Sequence, residues 1–248
     1  MVFHFNMNTE LQNKTEQFKQ WVTESQNIVF LGGAGVSTES DIPDFRSADG
    51  LYQKQQRVSP EEILSHTFFM RYTQAFYEFY REHMLYPNAK PNVTHYALAK
   101  LEQTGKLQAV ITQNIDGLHQ KAGSKAVYEL HGSVYRNTCM RCKKHYMLHE
   151  LPQTVVPYCT ECGGLIKPDV VLYEEPLEDK VWNNAIRAIK AADMLIVGGT
   201  SLSVYPAAGL IRYFSGKHLV LINKSITQYD IYADLVIHDS LGNIFAAL

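Results

Sequence analysis

The sequence predicts an α/β fold in which a parallel sheet carries a smaller inserted lobe. Apolar strands alternate with helical patterns along most of the chain, and this alternation is typical of parallel sheets with right-handed crossovers. Two stretches, residues 47–90 and 136–168, break the alternation and are expected to form the smaller lobe. A chain of 248 residues is long enough for both parts.

The predicted elements follow one another in order along the chain. We expect a first helix that begins near Thr9, because Gln12 stands three residues later as in a capping box. Its apolar side chains recur at helical spacing and are Leu11, Phe18, Trp21 and Val22. Four short apolar runs are predicted to be strands, at 28–31, 107–111, 194–197 and 219–222. Helical patterns lie between them, around 92–104, 178–191 and 206–214.

The first interrupting stretch is rich in aromatic residues. The run from Ser59 to Glu62 has the pattern of a capping box with proline at the first helical position, so a helix is expected there. The aromatic side chains that follow are interpreted as a packed core, and a lining for a ligand is the alternative. They are Phe68, Phe69, Tyr72, Phe76, Tyr77, Phe79 and Tyr80.

Composition and charge exclude several classes of protein. The net charge of −2 gives no bulk electrostatic support for a nucleic acid or an anionic membrane as partner. No apolar stretch approaches the ~20 residues of a transmembrane helix, and the first ten residues lack the pattern of a signal peptide. Together with cysteines that are interpreted as reduced thiols, these features predict a cytoplasmic protein.

The four cysteines of the chain stand in two close pairs, Cys139 with Cys142 and Cys159 with Cys162. Each pair places two sulfur atoms on one tight turn, and the segment between the pairs is long enough to bring both turns to one zinc ion. Two disulfides, a redox pair and four unrelated thiols are the alternatives. Since four protein ligands leave no position for water or substrate, the predicted zinc is structural.

Each predicted strand ends in a polar or glycine-rich cluster, and the carboxyl ends of parallel strands are where such sheets bind ligands. The first cluster, residues 33–38, could hold a diphosphate on its backbone amides. As a GxGxxG motif it is incomplete, because Thr38 replaces the third glycine and the acidic residue expected ~20 positions later is missing. Dinucleotide binding and a plain strand-to-helix turn both stay open from this loop alone, and NAD-dehydrogenase chemistry is disfavoured.

Several motifs together resemble those of the sirtuin family, and they occur in the family's order. They are Gly33–Arg46 (GAGVSTESDIPDFR), Thr112–His119 (TQNIDGLH), Leu130–Gly132 (LHG), the two cysteine pairs, Gly199–Leu202 (GTSL) and Ile222–Asn223 (IN). The resemblance covers nearly the whole chain. The motifs are highly specific jointly, although none of them is specific alone.

The resemblance implies an NAD-dependent protein-lysine deacetylase that transfers the acyl group from N6-acetyl-lysine to ADP-ribose. Nicotinamide and 2′-O-acetyl-ADP-ribose would be released. It also implies a Rossmann-like NAD-binding domain (residues 1–46, 91–135 and 169–248) and a small domain made of a helical module (47–90) and a zinc ribbon (136–168). NAD is then the cosubstrate, one zinc ion is structural, and the partners are acylated-lysine proteins. We expect a monomer with neither a nucleic acid nor a membrane as partner.

The resemblance also assigns roles to single residues. His131 is expected to be the general base and Asn114 a second catalytic residue, while Ile115 and Asp116 are expected to hold the carboxamide of nicotinamide. The expected NAD contacts are Gly33, Ala34, Gly35, Thr38, Phe45, Arg46, Gln113, Asn114, Ile115, Asp116, His131, Gly199, Thr200, Ser201, Asn223, Lys224 and Leu241. The expected contacts to the substrate peptide are Val170, Val171, Leu172 and Tyr173.

This chain departs from the family pattern at a few positions. Asp41 and Glu174 stand where the family usually has glycine. At Asp41 we expect a stiffer cofactor loop. At Glu174 we expect a shifted register of the peptide or a bias against acidic peptides. Tyr77 and Tyr80 match the Tyr-x-x-Arg pair with which desuccinylating relatives grip a carboxylate, and Arg81 is only adjacent. Acetyl and other neutral acyl groups are therefore expected to be preferred over succinyl.

Two other functions are the alternatives to deacetylation. A mono-ADP-ribosyltransferase would use the same NAD site, and it would leave labelled ADP-ribose on protein. A zinc-ribbon binding module without enzymatic activity is disfavoured, because it has no need for Asn114, Asp116 and His131 at the ends of strands.

Overall fold

The computed structural model describes residues 2–44 and 58–248. The strands in these residues are β1 (Ile28–Gly32), β2 (Leu107–Thr112), β3 (Val127–Glu129), β4 (Gly132–Cys139), β5 (His145–Met147), β6 (Ile166–Val170), β7 (Met194–Gly198), β8 (His218–Ile222) and β9 (Leu235–Ile237). The α-helices are α1 (Val2–Glu24), α2 (Pro60–Ile63), α3 (His66–Arg71), α4 (Thr73–His83), α5 (Val93–Gln103), α6 (Leu118–Ala122), α7 (Asp179–Ala191) and α8 (Leu241–Phe245). In this part of the chain, every helix is too short or too polar to span a lipid bilayer.

Six strands form a parallel sheet in the order β3-β2-β1-β7-β8-β9. The order reverses at β1, which pairs with β2 on one side and β7 on the other, so that Phe30 lies between Val110 and Ile196. Doubly wound sheets with this order bind their ligand at the reversal point, beyond the carboxyl ends of the strands. The predicted α/β fold class is confirmed.

The central strands β1, β7 and β8 are buried at every position, which explains their continuous apolar runs. Successive residues face opposite sides of the sheet. Phe30 therefore lies in one core layer with Phe18 and Phe245, whereas Leu31 lies in the other with Ile189. With both faces covered, only the edges and ends of the strands are open to a ligand.

A second, antiparallel sheet has the order β5-β4-β6 and carries the first cysteine pair at the end of β4. Helices α2 to α4 pack against it, because Phe69, Phe76 and Tyr77 share a buried cluster with Val134 of β4 and Val170 of β6. The interpretation as a packed core is confirmed for Phe69, Phe76, Tyr77, Phe79 and Tyr80, whereas Phe68 is only partly buried and Tyr72 is exposed, since it ends α3 on the solvent side. The division of the chain into two domains stays a prediction.

Two helix predictions need correction. Helix α1 begins at Val2 and not near Thr9, because no glycine or proline interrupts the first 24 residues and the helix continues through the predicted cap. The segment predicted as a helix around 206–214 is a 3₁₀ helix, Ala207–Tyr213. The predicted cap at Ser59 is present, since its side chain accepts a hydrogen bond from the Glu62 amide at 3.2 Å.

Candidate active site

The glycine loop after β1 lies directly against the turn that follows β7. The amide of Gly35 donates to the carbonyl oxygen of Gly199 at 2.8 Å, and a Cβ atom placed on Gly35 would lie 2.7 Å from the Cα atom of Gly199. Gly199 has a φ of +61°, in the left-handed region that favours glycine. Both glycines are therefore needed for a bare backbone surface at the point where the strand order reverses. Such a surface fits a dinucleotide diphosphate.

Side-chain hydrogen bonds join the ends of β2, β7 and β8. Asn223 accepts from the amide of Thr200 and donates its own side-chain amide to the Thr200 carbonyl oxygen, both at 2.9 Å. Gln113 donates to the hydroxyl oxygen of Thr200 at 3.0 Å. Three predicted cofactor residues from three strands are thus brought together and held in fixed positions.

Asp116 and Asn114 meet at Ser37, a residue that was not predicted to belong to the site. The Ser37 hydroxyl donates to the Asp116 carboxylate at 2.6 Å and accepts from the Asn114 side-chain amide at 3.0 Å. Burial raises the pKa of Asp116, and the hydrogen bonds from Ser37 and from the Leu118 amide lower it. Ser37 lies within the glycine-rich motif, but its partner is 79 positions away, and a local pattern cannot show such a contact.

His131 is oriented by the residues that follow β2. Its Nδ1 atom lies 3.0 Å from the carbonyl oxygen of Gln113. Because a carbonyl oxygen only accepts, Nδ1 carries the proton, and Nε2 is the acceptor of the neutral ring. Burial lowers the pKa of His131, and it outweighs the hydrogen bond to Gln113, which raises the pKa. The ring is therefore neutral at pH 7 and can take a proton from a hydroxyl group at Nε2.

The other predicted cofactor residues lie on the loops that follow β1, β2, β7 and β8. Thr38 donates to the carbonyl oxygen of Gly35 at 3.1 Å, and Ser201 shares a hydrogen bond with Ser203 at 2.7 Å. Also on these loops are Gly33, Ala34, Ile115 and Lys224.

The predicted contact at Leu241 lies farther along the same edge. Leu241 begins α8, and its side chain is buried in the core. The carboxylate of Glu39 accepts from the amide of Gly242 at 2.9 Å, so the loop after β1 is joined to the start of α8. Phe45 and Arg46, which were also predicted to contact NAD, lie outside the described residues.

The predicted peptide segment, residues 170–173, starts in β6 and runs beside the predicted base. The amide of Val171 donates to the carbonyl oxygen of His131 at 2.9 Å. The next residue after the segment, Glu174, has a φ of +74°, and Asp41 has a φ of +61°. Both positions thus have the left-handed backbone that explains why glycine is usual there.

The four cysteine sulfur atoms converge beside the end of β4. All lie within 4.8 Å of one another, and the pairs Cys139–Cys162 and Cys142–Cys159 are 3.5 and 3.6 Å apart. Zinc–sulfur bonds of about 2.3 Å give a tetrahedron with edges of about 3.8 Å, so this donor set fits one zinc ion. Disulfide sulfurs would be about 2.05 Å apart. The four thiols are free, which argues against the two-disulfide alternative.

Comparisons with known proteins agree with this geometry. The sequence profile of the Sir2 family matches residues 33–206. An NAD-dependent protein deacetylase of Clostridium acetobutylicum is 60% identical over 238 residues, which cover 94% of this chain and 97% of that protein. A protein of the same name from Staphylococcus aureus (strain N315) is 42% identical over 96% of this chain and 99% of its own length.

Solved structures are similar over the same length. One contains Sir2 with a deacetylated p53 peptide and 3′-O-acetyl ADP ribose, and it has a TM-score of 0.87 and 40% identity over 94% of this chain and 96% of that one. Another, Sir2 with a p53 peptide and NAD⁺, has a TM-score of 0.83 and 40% identity over the same shares.

Proposed function

This chain belongs to the Sir2 family, and we propose that the crevice at the carboxyl ends of its parallel strands is where it deacetylates proteins. The chain is an NAD-dependent protein-lysine deacetylase, which transfers the acyl group to ADP-ribose and releases nicotinamide and 2′-O-acetyl-ADP-ribose. One observation carries the assignment of the site. The backbone carbonyl group of Gln113 orients His131, and the side chain of Gln113 donates a hydrogen bond to Thr200. The proposed base and the proposed phosphate loop therefore meet at one residue.

The loops after β1 and β7 would hold the phosphates of NAD. The contact between Gly35 and Gly199 keeps both loops free of side chains there, so backbone amides can approach a diphosphate closely. The residues assigned to this part are Gly33, Ala34, Gly35, Thr38, Gly199, Thr200 and Ser201. The adenosine part is assigned to Asn223 and Lys224 and to the backbone of Leu241.

The nicotinamide part would be held by Asp116 and Ile115. Burial raises the pKa of Asp116, and the hydrogen bonds from Ser37 and the Leu118 amide oppose this effect and fix the orientation of the carboxyl group toward the carboxamide. A fixed carboxylate that grips the carboxamide in a twisted geometry favours departure of nicotinamide. Gln113 and Asn114 are assigned to the adjacent ribose.

His131 would accept the proton of a ribose hydroxyl group at Nε2 while the acyl group is transferred. The hydrogen bond from its Nδ1 to Gln113 fixes both the tautomer and the orientation of the ring. A positioned base of this kind contributes about 10²- to 10⁴-fold to the rate.

Zinc would be held by Cys139, Cys142, Cys159 and Cys162, and it would supply folding free energy rather than chemistry, because all four positions are filled by protein. Acylated-lysine peptides would lie along the segment 170–173. The two-domain division, a monomeric state and a cytoplasmic location complete the proposal. Zinc thiolates require reduced cysteines, and this requirement supports the location.

The fate of NAD labelled in its adenylate part tests the proposed function. With an acetyl-lysine peptide, the label should appear on O-acetyl-ADP-ribose in amounts equal to nicotinamide and deacetylated peptide. The same peptide without the acetyl group is the matched control and should release no nicotinamide. Label that accumulates on protein instead would identify the alternative, a mono-ADP-ribosyltransferase, which the comparisons do not favour.

A further inference from the structure

The turn that ends the proposed peptide segment is built on a residue type that its backbone disfavours. Residues 172–175 form a turn closed by a hydrogen bond from the amide of Glu175 to the carbonyl oxygen of Leu172 at 3.0 Å. Its third residue, Glu174, has a φ of +74°. The third position of a type II turn has a φ of about +80° and favours glycine. Glutamate is strained there, and unlike glycine it has a side chain that can make a contact with a neighbouring segment.

What the Glu174 side chain supplies is a contact with the start of α3. Its carboxylate accepts a hydrogen bond from the amide of Thr67 at 2.9 Å, across 107 positions of the chain. Hydrogen bonds from Thr67 lower the pKa of Glu174, and the charges of His66 and Arg71 act in the same direction. The carboxylate is thus charged at neutral pH and makes a charge-assisted hydrogen bond, which is stronger than a neutral one.

Backbone hydrogen bonds beside this contact join the same two segments. The amide of Tyr173 donates to the carbonyl oxygen of Leu64 at 3.0 Å, and the amide of His66 donates to the carbonyl oxygen of Tyr173 at 3.0 Å. With the bond from Thr67 to Glu174, three consecutive links connect the turn to the start of α3. The turn is therefore fixed against the helical module and not only against β6.

The next residue fixes the other side of the turn. The carboxylate of Glu175 lies 3.0 Å from the ammonium group of Lys167 in β6 and 2.8 Å from Nδ1 of His66, and it accepts from the Leu172 amide at 2.9 Å. Leu172 is buried in the cluster that also contains Phe69 of α3. Glu175 thus joins the base of the turn to β6 and, through His66, to α3, and Glu174 joins its outer corner to α3.

We propose that Glu174 is a positioning residue for the acylated peptide, because it holds the turn after residues 170–173 against α3. This inference rests on the proposed function, since it takes that segment as the peptide site. Without the Glu174 contact the outer corner of the turn would be less ordered, although the bonds of Tyr173 and Glu175 remain. That corner would have to lose conformational freedom when the peptide binds, and binding would be weaker for that reason. The effect belongs to the peptide and not to NAD, whose proposed contacts, apart from His131 and Leu241, lie on the loops after β1, β2, β7 and β8.

Three substitutions separate positioning from backbone strain. Glu174→Gly removes both the strain and the contact, Glu174→Ala keeps the strain without the contact, and Glu174→Gln keeps an oxygen that can accept from Thr67. We expect the Gly and Ala variants to raise the KM for an acetyl-lysine peptide by up to about fivefold, because the contact that they remove is exposed to solvent. The KM for NAD and kcat should stay within about twofold of wild type, and the Gln variant should lie between.

The matched control is Glu178→Ala, which removes an exposed glutamate that makes no capping bond at the start of α7 and should leave all constants unchanged. Thermal stability should fall further in Glu174→Ala than in Glu174→Gly, because only alanine keeps the strain. An unchanged peptide KM in both variants would overturn the inference.

Hydrogen exchange at the Thr67 amide tests the same contact without turnover. The amide should be protected in wild type and exchange faster in Glu174→Gly and Glu174→Ala, and equal exchange in all three would also overturn the inference. If wild type released no nicotinamide with an acetyl-lysine peptide, the proposed function would fail. The exchange at Thr67 would still decide whether Glu174 holds the turn.

Discussion

The hydroxyl group of Ser37 lies 2.6 Å from the carboxylate of Asp116. The same hydroxyl oxygen accepts a hydrogen bond from Asn114 at 3.0 Å. One small side chain on the loop after β1 therefore orients two proposed catalytic-site residues on the loop after β2. It also opposes the burial that raises the pKa of Asp116.

We expect Ser37→Ala to lower kcat/KM for deacetylation by about ten- to a hundredfold, which corresponds to the free energy of a hydrogen bond to a charged group. Without Ser37, the raising effect of burial on the pKa of Asp116 is opposed mainly by the Leu118 amide. Steady-state kinetics measure the change. Ser215→Ala, at an exposed position before β8, is the control and should behave like wild type. Wild-type kinetics in Ser37→Ala would show that the hydroxyl group has no part in the site.

Two buried histidines predict that acid destabilises the fold. The rings of His95 on α5 and His119 on α6 lie 4.7 Å apart between centroids, and both are buried. Burial lowers the pKa of His95 to about 4. The pKa of His119 is lowered to about 3, mainly by burial and also by the charge of the neighbouring His95. The unfolded chain binds protons at these histidines below about pH 6.5, while the folded protein does not. The stability present above pH 6.5 is therefore lost as the pH falls toward 4.

Urea unfolding between pH 7.5 and pH 5 measures this loss. Well below pH 6.5 the free energy of unfolding should fall by up to about 1.4 kcal/mol per pH unit for each of the two histidines. His119→Leu should make the dependence shallower, whereas His149→Gln, at an exposed position, should leave it unchanged. Equal slopes in wild type and His119→Leu would contradict the assignment.

Loss of one zinc ligand should unfold the zinc ribbon. Cys142 is the exposed member of the four, so its replacement by alanine leaves no apolar cavity. We expect Cys142→Ala to lose its zinc and about 10 °C or more in Tm, because structural zinc contributes its binding free energy to folding. Metal content and calorimetry measure both effects. Glu161→Ala, on the turn of the other cysteine pair, keeps all four thiols and should keep its zinc. A metal-free protein with full thermal stability would refute a structural role.

The helical module predicts a preference for neutral acyl groups. Tyr77 donates to the carbonyl oxygen of Ile166, and the guanidinium group of Arg81 donates to the carbonyl oxygen of Thr154 in the zinc ribbon. Tyr80 is buried among aromatic residues. Because Arg81 is engaged elsewhere, it would not supply a cation to a succinyl carboxylate near these tyrosines. We expect kcat/KM for an acetyl-lysine peptide to exceed that for the succinyl peptide at least about tenfold, with propionyl close to acetyl. Faster desuccinylation would contradict this.

The sequence was sufficient to predict what depends on local pattern. The apolar runs of β1, β2, β7 and β8 predicted the parallel sheet, and the spacing of the cysteines predicted their convergence on one site. Strands β3, β4, β5, β6 and β9 were not predicted, and β3, β5 and β9 have only three residues each, too few to carry a recognisable period.

Contacts between distant residues could not be predicted in this way. Ser37 and Asp116 are 79 positions apart, and Thr67 and Glu174 are 107 positions apart. Each pair is brought together by the tertiary fold and not by local sequence. The departure from glycine at Glu174 was visible in the sequence, but its contact with Thr67 was not.

The rate of acyl transfer by His131→Ala tests the central claim most directly. The account predicts that kcat for formation of O-acetyl-ADP-ribose falls by about 10²- to 10⁴-fold, because the base that deprotonates the ribose is lost. The fold and the zinc content should stay intact, since His131 is a partly buried residue at the crevice. A folded, zinc-loaded His131→Ala protein with the wild-type rate would contradict the account.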